Sequence, residues 1–121
     1  MTTIGKNTEK EEIINTLIDQ KAQCYKLVVI LKMLDKPVEA EDVKNKALNL
    51  SATIDDLLEK LMDEWLIDTA PLLNCLIKAN NGINDTLDQI KKMVDVAENV
   101  VKFLKNIDQG IEVASKIILS M

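Results

Sequence analysis

The chain has 121 residues, 47% of them hydrophobic, and a formal net charge of −5. This suits one domain with a modest hydrophobic core and argues against disorder. All fifteen basic residues are Lys and there is no His, so the usual general base, transition-metal ligand and bidentate phosphate fork are missing. With an acidic balance and only three aromatic residues, the composition argues against nucleic-acid binding and gives no indication of an enzyme.

The first predicted element is a helix over residues about 8–35. Thr8 and Glu11 have the spacing of a capping box, and apolar residues then recur mostly three or four positions apart. The run "LVVIL" (residues 27–31) is apolar on all sides, which predicts that several neighbours cover it. The segment "DKP" (residues 35–37) ends the helix. We expect residues 1–7 to be disordered.

The second predicted element is one helix over residues about 38–67. Its apolar seam has alternating spacings of three and four, at Ala40, Val43, Ala47, Leu50, Ile54, Leu57 and Leu61. Ser51 and Thr53 are weaker helix formers, so a new helix beginning there is the alternative. The regular seam favours one continuous helix.

A corner with a short helix is predicted next. Trp65, Leu66 and Ile67 are consecutive and cannot share one helix face, so the chain turns there or another surface covers it. Asp68 or Thr69 can cap a new helix with Pro71 in its first turn. The segment "ANNG" ends this helix, with Gly82 in a left-handed position.

The last predicted helix begins at Asn84 or Asp85 and reaches the end of the chain. Its apolar residues recur every seven positions, at Ile83, Ile90, Ala97, Leu104, Ile111 and Ile118. A second seam shifts near Gly110, where we expect a kink. The predicted fold is all-α, an antiparallel helical bundle of three long helices and one short helix, forming a single domain over residues 8–121. The long last helix exceeds its neighbours, which favours a homodimer or a protein partner.

The chemistry-bearing residues are few. The densest acidic patch consists of Asp55, Asp56, Glu59, Asp63 and Glu64. We interpret it as a solvated helix face, with a cation site or a docking surface for a basic partner as the functional alternatives. No residues have the spacing of a metal site or a nucleophile–base pair, so no catalytic residue, metal or cofactor is expected. Cys24 and Cys75 are expected to be buried thiols in a cytoplasmic protein.

The segment "LLEKLMDEWLIDTAPLLNCLIKAN" (residues 57–80) resembles the central helix–turn–helix of a family of small helical proteins. Some members of this family accompany bacterial and archaeal formate dehydrogenases. The likeness rests on Leu66, Ile67, Asp68, Leu72 and Leu73, which match a "GLLDALNALL"-like stretch. Trp65 stands where a glycine is more usual, and the family's glycine-containing C-terminal part has no counterpart here. The resemblance covers about a fifth of the chain and implies a non-catalytic accessory subunit.

The sequence therefore predicts a non-enzymatic helical interaction protein or accessory subunit that buries apolar helix faces against itself or a partner protein. The predicted partner contact consists of Trp65, Leu66, Ile67, Leu72, Leu73, Leu76 and Ile77, with the acidic patch setting orientation. The alternative is a carrier of a small apolar or lipid-like ligand within the bundle. The longest charge-free run has nine residues, too short for a transmembrane segment.

Overall fold

The computed structural model describes the backbone of residues 2–60 and 62–120, and the side chains of residues 8–60 and 62–120. It contains α1 (Thr2–Met33), α2 (Pro37–Leu58), a short 3₁₀ turn (Met62–Glu64), α3 (Thr69–Lys91) and α4 (Val96–Leu119). The predicted all-α class is confirmed. The predicted division into three long helices and one short helix is wrong, because α3 has 23 residues and α2 has 22. Helix α1 begins at Thr2, ahead of its predicted start near residue 8, and the predicted disorder of residues 1–7 stays a prediction. The predicted burial of Leu61 lies outside the described residues.

The four helices form two antiparallel hairpins that pack side by side. α1 pairs with α2 and α3 pairs with α4, while α1 also packs along α3 and α2 along α4. The first residue of α3, Thr69, lies against Glu9 near the start of α1, so α1 and α3 run in the same direction. Because α2 and α3 occupy opposite corners of the bundle, the chain between them must cross one end. We call residues 59–68 the crossover.

Helix α2 is continuous through Ser51 and Thr53, as predicted, and the Thr53 hydroxyl donates to the Asn49 carbonyl 2.9 Å away. The predicted end at residue 67 is wrong, since α2 ends at Leu58. Its last turn carries Asp55 and Asp56 and no basic residue. Acidic groups at a helix C-terminus oppose the helix dipole, which favours ending the helix there.

Helix α3 begins as predicted and continues past its predicted end. The Asp68 carboxylate accepts from the Ala70 amide at 3.2 Å, and Pro71 lies in the first turn. The helix runs through Gly82, and none of the described glycines has a positive φ. Burial of Ile83 and Ile90 further along α3 outweighs the weak helix propensity of the "ANNG" segment.

Gly82 has a packing role in place of the predicted capping role. A Cβ added at Gly82 would lie 2.6 Å from Asn106 Nδ2 on α4. The missing side chain therefore lets the Asn106 amide lie against α3.

Both hairpins close with the same backbone motif. After α1, Asp35 has φ 58° and the Lys36 amide donates to the Leu31 carbonyl at 2.8 Å. After α3, Met93 has φ 62° and the Val94 amide donates to the Gln89 carbonyl at 2.9 Å. These are Schellman motifs, which usually place glycine in the left-handed position. With Asp and Met in that position, the sequence gives a weak stop signal at both turns.

Helix α4 begins at Val96, so the predicted start at Asn84 or Asp85 is wrong. Its buried residues differ from the predicted seven-residue series: Asn99, Val100, Phe103, Ile107, Gly110, Val113, Ala114 and Ile117. The helix continues through Gly110 without interruption. A Cβ at Gly110 would lie 2.1 Å from Gln20 Oε1, so this glycine permits a close approach of α1 to α4.

Side chains from all four helices and from the crossover form one hydrophobic core. Gln20 and Cys24 of α1 place polar groups within this core. The Gln20 side chain is fully buried, and its amide has no hydrogen-bond partner among the described residues. Burial raises the pKa of the Cys24 thiol to about 12, so this thiol stays protonated at neutral pH and is a poor nucleophile.

Candidate functional site

The crossover places its three consecutive apolar residues in three different environments. Trp65 is only 5% exposed and joins the core, Leu66 is 76% exposed, and Ile67 is partly buried against the core. The crossover thus places Trp65 in the core at the end of the bundle while Leu66 points to solvent.

Side chains near the start of α1 hold the crossover in place. The Lys10 ammonium donates to the Met62 carbonyl and lies 5.7 Å from the centroid of the Trp65 ring. This distance is within the range of a cation–π interaction. The Thr69 hydroxyl donates to Glu9 Oε1 at 3.1 Å. Trp65 Nε1 is buried without a hydrogen-bond partner among the described residues, so packing, rather than hydrogen bonding, fixes the indole.

A cleft of about 280 Å³ lies beside Trp65. Its walls combine apolar and charged groups: Glu9, Lys10, Trp65, Leu66, Ile67, Asp68 and Thr69. The Trp65 Nε1 atom is inaccessible to solvent and therefore offers no hydrogen bond to a molecule in the cleft. The contact that this cleft can provide to a partner consists of an exposed leucine beside carboxylates.

The structure separates the predicted partner-contact residues into core and surface positions. Leu76 is fully buried, and Trp65 and Leu72 are nearly so. Ile67 and Leu73 are partly buried against the core. Leu66 and Ile77 are exposed, so among the seven residues Leu66 presents most of its surface to a partner and Ile77 about half. Contact with a partner itself stays a prediction.

The five residues of the acidic patch are all exposed. Asp55 and Asp56 lie at the end of α2, Asp63 and Glu64 lie in the 3₁₀ turn, and Glu59 lies between them. No three acidic or other metal-ligating side chains among the described residues are grouped closely enough to hold a metal ion. The patch thus forms an exposed acidic rim at the crossover end of the bundle, and a docking role stays a prediction.

A second cleft, of about 490 Å³, lies between α3 and α4 where Gly82 faces Asn106. Polar side chains dominate its lining: Asp85, Thr86, Gln89, Asn99, Lys102, Lys105 and Asn106. Sequence analysis missed this cleft. The feature that could have indicated it is Gly82, a glycine that lies inside a helix and leaves space beside it. Neither of the two clefts is an apolar chamber, so neither supports the predicted carrier of an apolar ligand.

Sequence analysis also missed an apolar stripe on the outer face of α1. Its members are Ile18, Ala22, Tyr25, Val29 and Met33, all of them exposed. Their spacings of four, three, four and four place them on one side of the helix. The buried residues of α1, such as Leu17, Cys24 and Leu31, follow a different line. We call the five exposed residues the outer stripe.

Comparisons with protein-family models, curated proteins and solved structures gave no match. The resemblance of residues 57–80 to helical accessory proteins therefore remains a prediction that the comparisons do not test. Across the part of the chain that the structure describes, no helix combines the length and the apolar character that a membrane span requires.

Proposed function

We propose that the chain is a non-enzymatic helical interaction subunit that docks a partner protein on its crossover end. The observation that carries the proposal is Leu66, a leucine that is 76% exposed next to a buried, immobilised Trp65. An exposed large apolar side chain on a well-packed support is typical of a contact residue in an interface.

The charges around Leu66 favour a partner segment that is both apolar and basic. The five exposed acidic residues of the patch lie at the crossover end. Glu9 and Asp68 line the cleft beside Leu66. A basic segment would meet opposite charge on approach, which speeds association and fixes orientation more than it adds affinity. The same rim disfavours an acidic partner.

The chemistry of the two thiols agrees with a non-catalytic role. The raised pKa of Cys24 keeps this buried thiol in its protonated form. Cys75 lies on α3, where its thiol donates to Gln109 Oε1 at 3.5 Å. No residue in the chain is a His, so neither thiol has the imidazole base that activates a cysteine nucleophile. The cytoplasmic location predicted from the sequence remains part of the proposal.

The test compares the full chain with two variants as baits in lysate from its source cells. Leu66→Asp places a carboxylate at the proposed contact. Leu48→Asp is the matched control, since Leu48 is 52% exposed and lies in the middle of α2, away from the crossover end. We expect the unmodified bait and Leu48→Asp to co-sediment with the same basic partner, and Leu66→Asp to lose it. A bait that recovers no stoichiometric partner, or a partner retained by Leu66→Asp, contradicts the proposal.

A further inference from the structure

The outer stripe of α1 is a second apolar surface, on a different part of the molecule from the crossover. It extends from Ile18 to Met33, a length of about 22 Å at 1.5 Å per residue. Val29 is 58% exposed and Met33 is 80% exposed. None of the helices described packs over this stripe, so it is a candidate for contact with another molecule.

The apolar positions on this face are nearly symmetric about Ala22. Ile18 lies four residues before Ala22, and Tyr25 lies three residues after it. Ile14, which is partly buried, lies eight residues before Ala22, and the exposed Val29 lies seven residues after it. If a second α1 runs antiparallel with Ala22 facing Ala22, then Ile18 of each copy meets Tyr25 of the other. Ile14 likewise meets Val29. The small side chain at the centre lets the two helices approach closely.

The charges along α1 are complementary under the same antiparallel operation. From residue 8 to residue 19 the helix carries four acidic residues and one Lys, and from residue 20 to residue 33 it carries three Lys and no acidic residue. With Ala22 at the centre, Lys26 comes level with Asp19 of a second copy on the same flank of the helix pair. A parallel pair would instead place like charges opposite each other.

The charged groups Asp19, Lys26 and Lys32 form no ion pair with the side chains that the structure describes. Asp19 and Lys26 are seven residues apart on the same helix, beyond the three- or four-residue spacing at which side chains pair along a helix. They are therefore free to pair between two chains.

We propose that the outer stripe binds a second copy of this chain, forming an antiparallel α1–α1 homodimer centred on Ala22. The inference rests on the proposed function, in that it names one partner of an interaction protein, but it uses a separate surface. A single helix pair of this length is smaller than the typical specific interface of about 1,200–2,000 Å². We therefore expect a reversible dimer with a dissociation constant of about 1–100 μM.

Sedimentation equilibrium of the full chain tests the proposal with two matched valine variants. Val29→Glu puts a carboxylate in the proposed interface, whereas Val101→Glu makes the same change on α4, where Val101 is 53% exposed. We expect Val29→Glu to raise the dissociation constant about tenfold or more, because an unpaired charge would be buried. Val101→Glu should change it less than about twofold. Circular dichroism establishes that both variants remain folded.

Charge exchange tests the antiparallel pairing. Lys26→Glu and Asp19→Lys should each weaken the dimer about threefold or more, since each replaces two attractive pairs by repulsive ones. The double variant carrying both changes should restore the affinity. Restoration cannot come from pairing along one helix, because the two positions are seven residues apart.

Three results would overturn the homodimer. They are a chain that stays monomeric to about 0.5 mM, equal weakening by Val29→Glu and Val101→Glu, and a double charge variant no tighter than the single ones. Leu66→Asp should leave the dissociation constant unchanged, and Val29→Glu should leave partner capture in lysate unchanged. Failure of the dimer and failure of the crossover proposal are therefore distinguishable.

Discussion

The two ends of the bundle are closed by different means. At the hairpin end, two short turns with left-handed Asp35 and Met93 close the chain through backbone hydrogen bonds. At the crossover end, the ten residues 59–68 span the diagonal, and a buried indole anchors them. The first closure uses local contacts along the chain, whereas the second depends on side chains that are distant in sequence.

This difference indicates where sequence changes have large effects. A Schellman turn depends on backbone hydrogen bonds and on a left-handed residue rather than on side-chain packing. The crossover has little regular hydrogen bonding of its own, so its position depends on the packing of Trp65 and on Lys10 and Glu9. We therefore expect stability to be sensitive to the anchor at one end and to backbone conformation at the other.

The largest effect is expected at the anchor. Trp65→Ala removes a side chain that is 95% buried, and such truncations destabilise proteins by about 3–5 kcal/mol. Chemical denaturation followed by circular dichroism measures the change in the free energy of unfolding. Leu66→Ala is the neighbouring control, and its effect should be within about 0.5 kcal/mol because Leu66 is exposed. Equal losses at the two positions would contradict the role assigned to Trp65.

Cys24 lies between the two ends, in the interior of α1. Its burial makes the free energy of unfolding depend on pH. Its pKa is raised by burial from 9.0 to about 12. Below pH 9 the thiol is protonated in both states. Between about pH 9 and 12 only the unfolded chain loses the proton, so the free energy of unfolding falls by about 1.4 kcal/mol per pH unit.

The measurement compares denaturation of the unmodified chain and of Cys24→Ala at pH 8, 9 and 10. The titrations of Lys and Tyr residues are common to both chains, so the difference isolates the thiol. We expect the stability advantage of the unmodified chain to shrink as the pH rises above 9. A difference independent of pH over this range would show that Cys24 is accessible to solvent in the folded chain.

A smaller effect, with the opposite sign, is expected at the hairpin end. Met93→Gly relieves a left-handed conformation that costs a non-glycine residue about 1–2 kcal/mol, and after the loss of chain entropy it should stabilise the protein by about 0.5–1 kcal/mol. Asp35→Gly should gain less, because Asp tolerates this conformation better than Met does. Thermal denaturation measures both changes.

The alanine variant Met93→Ala provides the control at that turn. It shortens the side chain and keeps the strained conformation, so it should have little effect on the melting temperature. A gain from Met93→Ala equal to that from Met93→Gly would attribute the effect to the exposed methionine side chain and not to the backbone.

Helix periodicity predicted the all-α class and several boundaries. The cap at Asp68 and the alternating seam from Ala40 to Leu57 are confirmed. The errors occurred where burial outweighs local preference. Gly82 looked like a helix end, yet buried residues on both sides of it keep α3 helical. The helix ends at Lys91, and the left-handed residue of the turn that follows is Met93 and not a glycine. A left-handed methionine is not recognisable from one sequence.

The candidate surfaces were less predictable than the fold. Leu66, one of the predicted partner-contact residues, is exposed, but Leu72 and Leu76 could be assigned to the core only once α3 was known to pack against α1 and α4. The outer stripe lay unrecognised within a helix that is apolar on more than one side. Separating its two apolar lines requires knowledge of which residues the neighbouring helices cover.

The diagonal crossover also has a consequence for the order of folding. Each hairpin closes over a short turn and can form from contacts that are local in sequence, whereas the contacts of Lys10 with Met62 and of Glu9 with Thr69 join residues 52 and 60 positions apart. Closing such long loops is slow relative to local helix pairing. Bringing the two hairpins together at the crossover should therefore limit the folding rate, so that truncating Trp65 slows folding.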